Sequence, residues 1–271
     1  MRTNRLSGLA AAAIVVLAAF CGCSNAQDGV PAMEPGAADT LYQSIMSDTS
    51  NTASYFEIST RLGRMVIRLY DETPEHRDNF ARLVDQGFYD GTSFHRVIAG
   101  FMIQGGDPNS KNGDPMNYGG GGPGYKLPAE LKAGHFHKRG ALAAARQGDS
   151  VNPTRASSGS QFYIVLGGVP VDTTELDQIE RSLRTQIPDP AFSFSDSARA
   201  VYMSDGGAPH LDGSYTVFGE VVEGLDVLDA IGSAPTPRSS GEQVHPALLD
   251  QPMEKIVMHV KRLEAYPPPD Q

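Results

Sequence analysis

Two cysteines, Cys21 and Cys23, are all that this 271-residue chain contains, and the 248 residues after Cys23 have none. A disulfide framework is therefore excluded, and so is a zinc site built on thiolates. There is no tryptophan, so no indole N–H is available to any binding surface. Positive charge is short as well: 22 Lys and Arg stand against 32 Asp and Glu, a net charge of −10. That balance argues against nucleic acid or an anionic membrane surface as a partner, and its plainest consequence is solubility. No apolar run reaches the ~20 residues of a membrane-spanning helix. The run Leu9–Phe20 has only twelve.

Glycine and proline are plentiful, at 29 and 19 residues, and argue for many turns in a loop-rich β protein. Residues 1–23 have the layout of an export signal: Arg2 and Arg5, then Leu9–Phe20, then Cys21-Gly22-Cys23-Ser24-Asn25. Small residues ahead of a cysteine resemble a bacterial lipoprotein signal. Cys23, preceded by Gly22, is the expected lipidated residue, because Cys21 follows the bulky Phe20. Phe20 departs from the aliphatic residue usual three places ahead of that cysteine, and an ordinary secretory signal is the alternative. The expected location is the bacterial cell envelope, lipid-anchored on the periplasmic side of the inner or outer membrane. Residues 24–52, rich in small and polar residues, read as a flexible tether, with a short helical turn at Leu41–Met46. One domain is expected over 53–266, with a Pro-rich tail at 267–271.

The domain opens with two strands, Tyr55–Thr60 and Arg64–Tyr70, the second with Met65, Ile67 and Leu69 on one face. Thr73-Pro74 opens a helix, Thr as cap and Pro at its first position, with a Phe80, Leu83, Val84 stripe and an end at Gly87. After Asp107 comes a glycine-rich loop through Gly119–Gly124. A phosphate cradle would need Lys-Ser/Thr and a helix after the glycines, and Tyr125-Lys126-Leu127-Pro128 supplies neither. His135 and His137 at alternate strand positions would share a face, but nothing nearby completes a metal shell, so they read as surface or loop-anchoring residues. Gly140–Arg146 is a further strand. In Gly159–Ile164, Gln161 and Tyr163 face one way, Phe162 and Ile164 the other. Around 167–209, Thr174–Asp177 resembles a capping box, and Leu176, Ile179, Leu183 and Ile187 give an amphipathic helix stopped by Pro188. Ser195–Met203 suggests a second helix, Gly224–Ile231 a last one, and Pro252–Leu263 a final strand.

The stretch Phe94-His95-Arg96-Val97-Ile98-Ala99-Gly100-Phe101-Met102-Ile103-Gln104-Gly105-Gly106-Asp107 organises the rest. Val97, Phe101 and Ile103 read as strand residues, and Ala99-Gly100 turns the chain between two short strands. On such a pair Arg96, Phe101, Met102 and Gln104 line one patch with an apolar floor and a polar rim. It holds no nucleophile–base pair. A fork of donors beside an apolar pocket suits a neutral planar group such as a peptide bond. His95 should face the interior as a hydrogen-bonded core histidine.

That stretch closely resembles the signature of the cyclophilin family of peptidyl-prolyl cis-trans isomerases. Gly159-Ser160-Gln161-Phe162-Tyr163-Ile164 resembles the family's other active-site strand. Leu211-Asp212-Gly213-Ser214-Tyr215-Thr216-Val217-Phe218-Gly219-Glu220-Val221 resembles the segment that closes its pocket. The three motifs stand in family order, and the resemblance covers roughly residues 53–262 apart from an insertion at about 167–209.

The resemblance implies a closed antiparallel eight-stranded β-barrel with two flanking helices, here carrying a partly helical insertion. It implies isomerisation of X-Pro bonds in exported proteins, with Arg96, Gln104 and Phe101 as catalytic residues. Met102, Tyr163 and Leu211 would hold the pyrrolidine ring, and Gln161 would bind substrate backbone. Ala144, Ala145 and Arg146 would line the groove, with His210 and Tyr215 on its closing segment. His210 stands where many members carry a tryptophan, and Tyr215 where a histidine is usual. The resemblance implies no cofactor and no metal. Expected partners are proline-containing polypeptides and, through lipid, a membrane; nucleic acid is not among them, and a monomer is expected. The rival reading is a non-catalytic chaperone or scaffold module that holds proline-containing segments. The insertion, just ahead of the closing segment, either shapes substrate access or is a packed surface excursion.

Overall fold

A computed structural model describes residues 55–187 and 189–266. The signal, the tether with its Leu41–Met46 turn, Pro188 and the tail lie outside the described residues. Among the described residues eleven strands form: β1 (Tyr55–Thr60), β2 (Gly63–Leu69), β3 (Ser93–Phe94), β4 (Arg96–Ile98), β5 (Met102–Gly105), β6 (Lys126–Leu127), β7 (Ala141–Ala144), β8 (Ser157–Ser158), β9 (Phe162–Val165), β10 (Val217–Glu223) and β11 (Ile256–Arg262). Nine make one antiparallel sheet in the order β3-β11-β1-β2-β10-β7-β9-β5-β4, and β6 pairs with β8 apart. The mainly-β, nearly closed antiparallel barrel agrees with the expectation. The ninth strand is two-residue β3, which pairs with the start of β11 through Ile256↔Phe94 and Val257↔Ser93.

Glycine eases the closure of the barrel. A Cβ on Gly105 of β5 would stand 2.5 Å from Met258 Cε and 3.2 Å from Phe94 Cδ1, so the bare α-carbon lets β5 approach β3 and β11 without displacing the Met258 side-chain tip. The His95 N–H donates to Gln104 O at 3.0 Å across the same seam. Inside lie Phe56, Ile58, Met65, Ile67, Leu142, Phe162 and Ile164. Full burial of each such side chain contributes about 1.5–3 kcal/mol before chain entropy is counted.

Two helices close the barrel, α1 (Pro74–Asp85) and, after the insertion, one at Leu225–Gly232. α1 buries Phe80, Leu83 and Val84, the expected stripe. Its cap departs from expectation. Thr73 precedes the helix but makes no side-chain cap bond; its hydroxyl donates back to Tyr70 O. The Glu130 carboxylate accepts from the N–H groups of Glu75 and His76 at 3.3 and 3.0 Å instead.

The insertion forms α2 (Thr173–Gln186) and α3 (Asp196–Asp205). The cap of α2 is Asp172, whose carboxylate accepts from Glu175 N at 2.8 Å, not a box starting at Thr174. Leu176, Leu183 and Ile187 pack with Phe194, Ala198 and Tyr202 in a small apolar core of their own, Ile179 at its edge. The Leu225–Gly232 helix is α4 in chain order, and short α5 (Pro237–Ser240) follows. The final strand is shorter than Pro252–Leu263, running from Ile256 to Arg262, because the chain still bends at Met253 and Glu254.

Candidate active site

Strand alternation builds the site on the outer face of β5, β9, β7 and β10. Phe162 and Ile164 turn inward, while Tyr163 and Val165 turn outward to join Met102, Ala141, Ala143 and Val217. An outward apolar patch must be covered, and Phe101, Leu211, Tyr215, Tyr70 and Ile98 lie partly buried over it. Phe101 itself is in the turn before β5 rather than in a strand, since the Ala99-Gly100 turn runs one residue further than expected. It still reaches the patch and lies 5.5 Å from the His210 ring.

The polar rim follows from register. Arg96 pairs with Gln104 across β4 and β5, and Gln104 with Tyr163 across β5 and β9. Arg96 Nη1 donates to Gln104 Oε1 at 3.3 Å, and Gln104 Nε2 donates to Gln161 Oε1 at 3.1 Å. Gln161 Nε2 donates to the carbonyls of Gly119 and Gly121 at 3.0 and 2.7 Å. The glycine-rich loop is thereby tied to the site. Buried Asp107 holds it from beneath, accepting from the N–H groups of Asn109, Gly119 and Gly121. Between this loop and Ala145, Arg146 and Ser158 lies a groove of about 620 Å³ with Gln104 and Gln161 on its wall.

Arg146 is fixed as a wall rather than left free. Nε donates to Ser214 O at 2.8 Å, Nη1 reaches Asp149 at 2.6 Å, and the guanidinium lies 4.3 Å from the Tyr215 ring centroid. Ala145 borders the groove. Ala144 does not line it: outward Ala143 precedes it on β7, so its methyl points into the barrel core. Burial, reinforced by Tyr215 and the Asp212 charge, pushes the Tyr163 phenol well above its ordinary pKa, so it stays protonated.

Three residues beyond the motifs shape the site. Asp250 Oδ2 lies 3.6 Å from Arg96 Nε, and Asp250 Oδ1 accepts from Arg238 Nε at 2.5 Å. The Val97 N–H donates to Asp250 O at 2.7 Å, covering the free edge of β4. No local pattern marks Asp250, which stands far from Arg96 in sequence. His137 is the third, and here the structure corrects the sequence. It sits in a loop rather than a strand, fully buried, with Nδ1 2.6 Å from Asp212 Oδ1 and Nε2 2.8 Å from the Tyr163 hydroxyl. His135 instead stacks on Tyr70 at 4.1 Å, so the two imidazoles share no face.

His95 is buried as expected but is not hydrogen-bonded: neither ring nitrogen has a bond of normal length. Burial, with Arg96 adding to it, outweighs the Asp107 charge and the Ser93 carbonyl and lowers its pKa from 6.5 to about 4. Between those values the unfolded chain binds a proton that the folded chain refuses. Stability is therefore full above pH 6.5 and falls as pH drops towards 4, by on the order of 3 kcal/mol from this residue. Urea unfolding at pH 7 and 4.5 should show His95→Gln losing less stability on acidification than the parent; equal losses would contradict this assignment.

A family model described as "Cyclophilin type peptidyl-prolyl cis-trans isomerase/CLD" matches residues 55–259. A peptidyl-prolyl cis-trans isomerase of Helicobacter pylori is 34% identical over 182 residues, 66% of this chain and 80% of that protein. A Staphylococcus haemolyticus protein, provisionally named for the same activity, is 31% identical over 196 residues, 72% of this chain and 88% of its own. Among solved structures, a Cryptosporidium parvum cyclophilin type isomerase crystallised in the presence of the dipeptide Ala-Pro superposes with a TM-score of 0.52 at 22% identity. The match covers 78% of this chain and 99% of that one.

Proposed function

This chain belongs to the cyclophilin type peptidyl-prolyl cis-trans isomerase family and is an isomerase of X-Pro bonds; from that premise we propose that Arg96 drives the rotation and that the clients are exported proteins. Amide resonance sets a barrier of about 18–20 kcal/mol to rotation. As the bond twists, the prolyl nitrogen becomes pyramidal and exposes a lone pair. A donor aimed at that nitrogen binds the twisted state better than either planar state, which is catalysis by differential binding. Arg96 stays charged and presents several N–H groups. Gln104 takes Nη1 and Asp250 faces Nε, while Nη2 makes no bond among the described residues.

The observation that carries this reading is the fixed row Arg96–Gln104–Gln161 beside an outward pocket of Phe101, Met102, Tyr163 and Leu211. The pocket would take the pyrrolidine ring. Gln104, Gln161 and the groove beside the glycine-rich loop would take the flanking backbone, Ala145 allowing close approach. His210 and Tyr215 would close the far side. A rate gain of five orders of magnitude needs roughly 7 kcal/mol, more than one charge-assisted bond provides. Ring anchoring and exclusion of water must supply the rest. The test is isomerisation of a chromogenic proline tetrapeptide at substoichiometric chain. Catalytic acceleration supports the reading; no acceleration even at stoichiometric excess would favour a holding module.

Export and anchoring rest on residues 1–23 alone. Among the described residues no helix is long and apolar enough to cross a membrane. Lipid on Cys23 would then be the attachment, with residues 24–52 as tether and a monomer at its end. Cys23→Ala should release soluble protein and Cys21→Ala should not. Lipid still present on Cys23→Ala, seen by mass spectrometry of the processed N-terminus, would overturn the assignment.

A further inference from the structure

A line of buried side chains runs from the insertion to the floor of the pocket. Tyr202, on α3, has no exposed surface, and its hydroxyl donates to Asp212 Oδ2 at 2.7 Å. The other carboxylate oxygen, Oδ1, accepts from the His137 backbone N–H at 2.9 Å and from His137 Nδ1 at 2.6 Å. A carboxylate on Nδ1 puts the proton there and leaves Nε2 as an acceptor, facing the Tyr163 hydroxyl at 2.8 Å. Burial and the Asp212 charge push the Tyr202 phenol far up, and the Tyr163 phenol is raised too, so both ends of the line are donors. The polar count closes: Tyr163 O–H to Nε2, Nδ1–H to one carboxylate oxygen, Tyr202 O–H to the other.

All four residues are at most 5% exposed. Buried polar groups are costly unless every one is partnered, and removing one partner strands the next. The Tyr163 floor needs only an aromatic ring for its apolar duty, so its hydroxyl is explained by His137 and not by the pocket. The His137 and Tyr163 rings lie near parallel, at 9° and 6.0 Å. The backbone adds to the tie: Ala208 N–H donates to His137 O at 2.8 Å, and Gly207 bridges Lys138. Asp212 itself follows Leu211 on the closing segment, so the same carboxylate holds that segment to α3.

We propose that the insertion is a positioning element of the isomerase site: the Tyr202 hydroxyl, through Asp212 and His137, fixes the Tyr163 ring under the prolyl ring and holds the closing segment in place. This rests on the reading of Tyr163 as the floor of the proline pocket. Tyr202 and His137 touch no substrate and act through Tyr163 and Leu211. The insertion thereby affects how well the pyrrolidine ring is held more than how fast the held bond turns.

The experiment is a double-mutant cycle with the full chain, reading kcat and KM separately on a proline tetrapeptide. Tyr202→Phe and Tyr163→Phe each keep ring volume and remove one end of the line. Each should lower kcat/KM by about 5-fold, mostly through KM, and the double variant should be no worse than the worse single one. Leu176→Ala, in the insertion's own apolar core, should lower the melting temperature at least as much yet leave kcat/KM within about twofold where all variants are folded. Long-range 1H–15N spectra should report the Nδ1–H tautomer of His137 in the parent and its loss of order in Tyr202→Phe. Multiplicative losses in the double variant, or single variants at parental kcat/KM, would overturn the proposal. If Tyr202→Phe does not fold, Tyr163→Phe decides, since it leaves the insertion untouched: parental kcat/KM there overturns it. Arg96→Lys in the same assay separates the two layers. Full turnover in Arg96→Lys contradicts the site reading itself, whereas an impaired Arg96→Lys beside unimpaired tyrosine variants contradicts only the role of the insertion.

Discussion

Arg96→Lys should lower kcat/KM on a proline tetrapeptide by about 100-fold while leaving folding stability within about 1 kcal/mol of the parent chain. The activity loss follows from geometry rather than charge. The arginine fork donates to Gln104 through Nη1, faces Asp250 with Nε and still has Nη2 to offer. A lysine ammonium concentrates its donors at one point and cannot hold the two neighbours and address a twisting amide together. A hundredfold fall corresponds to about 2.7 kcal/mol, ordinary for losing one donor aimed at a transition state. Stability should hardly move, because the Arg96 side chain is 39% exposed and its pair with Asp250 is 3.6 Å long. Its partner would not be stranded, as Asp250 keeps Arg238. A melting temperature that falls in step with activity would show that Arg96 braces the β4 edge instead.

Cyclosporin should inhibit this chain at least about 100-fold more weakly than it inhibits family members with tryptophan at the position of His210. In the resembling family the tryptophan offers that cyclic peptide an indole N–H and a broad apolar face. His210 is exposed and leans its imidazole on Phe101, at 5.5 Å between centroids. It covers less area, and its donor depends on tautomer. Burial of its packed side, with His137 adding to it, lowers its pKa, so the added positive charge of an imidazolium is disfavoured. Roughly 100 Å² less apolar cover and one missing hydrogen bond together account for a loss of that size. The neighbouring Tyr215 is already covered by Arg146 at 4.3 Å and adds no free face. The proline pocket is unaltered, so isomerisation should persist, and His210→Trp should regain at least about 10-fold in sensitivity. Tight inhibition of the unmodified chain would mean that other groove residues replace the indole.

The parts of the site that could be read in advance were those set by strand period. Arg96, Met102 and Gln104 share a face because β4 and β5 pair in register, Tyr163 follows on β9 for the same reason, and Gln161 stands just ahead of that strand. The helices at 74–85, 173–186, 196–205 and 225–232 were legible from apolar spacing and punctuation, whereas the closed barrel came from the family resemblance. Ala144 was misplaced because three consecutive alanines carry no sign of which face each occupies. The caps of α1 and α2 were misjudged because Glu130 reaches its helix from 54 residues away and Asp172 competes with Thr174 at short range. His95 was expected to be bonded, yet its ring nitrogens make no bond of normal length and the ring is held by packing, Tyr118 among its neighbours. Asp250 and the Tyr202–Asp212–His137–Tyr163 line were invisible, since their partners meet only when the barrel closes and the insertion packs on it.

The central claim is that Arg96 acts on the twisted amide and not on peptide affinity. Magnetisation-exchange NMR on a proline peptide measures both quantities at once, with affinity from titration shifts and rotation from cis–trans exchange at saturating chain. The account predicts that Arg96→Lys binds the peptide within about threefold of the parent while bound-state exchange slows about 100-fold. Exchange at the parental rate once the loss of binding is corrected for would contradict it.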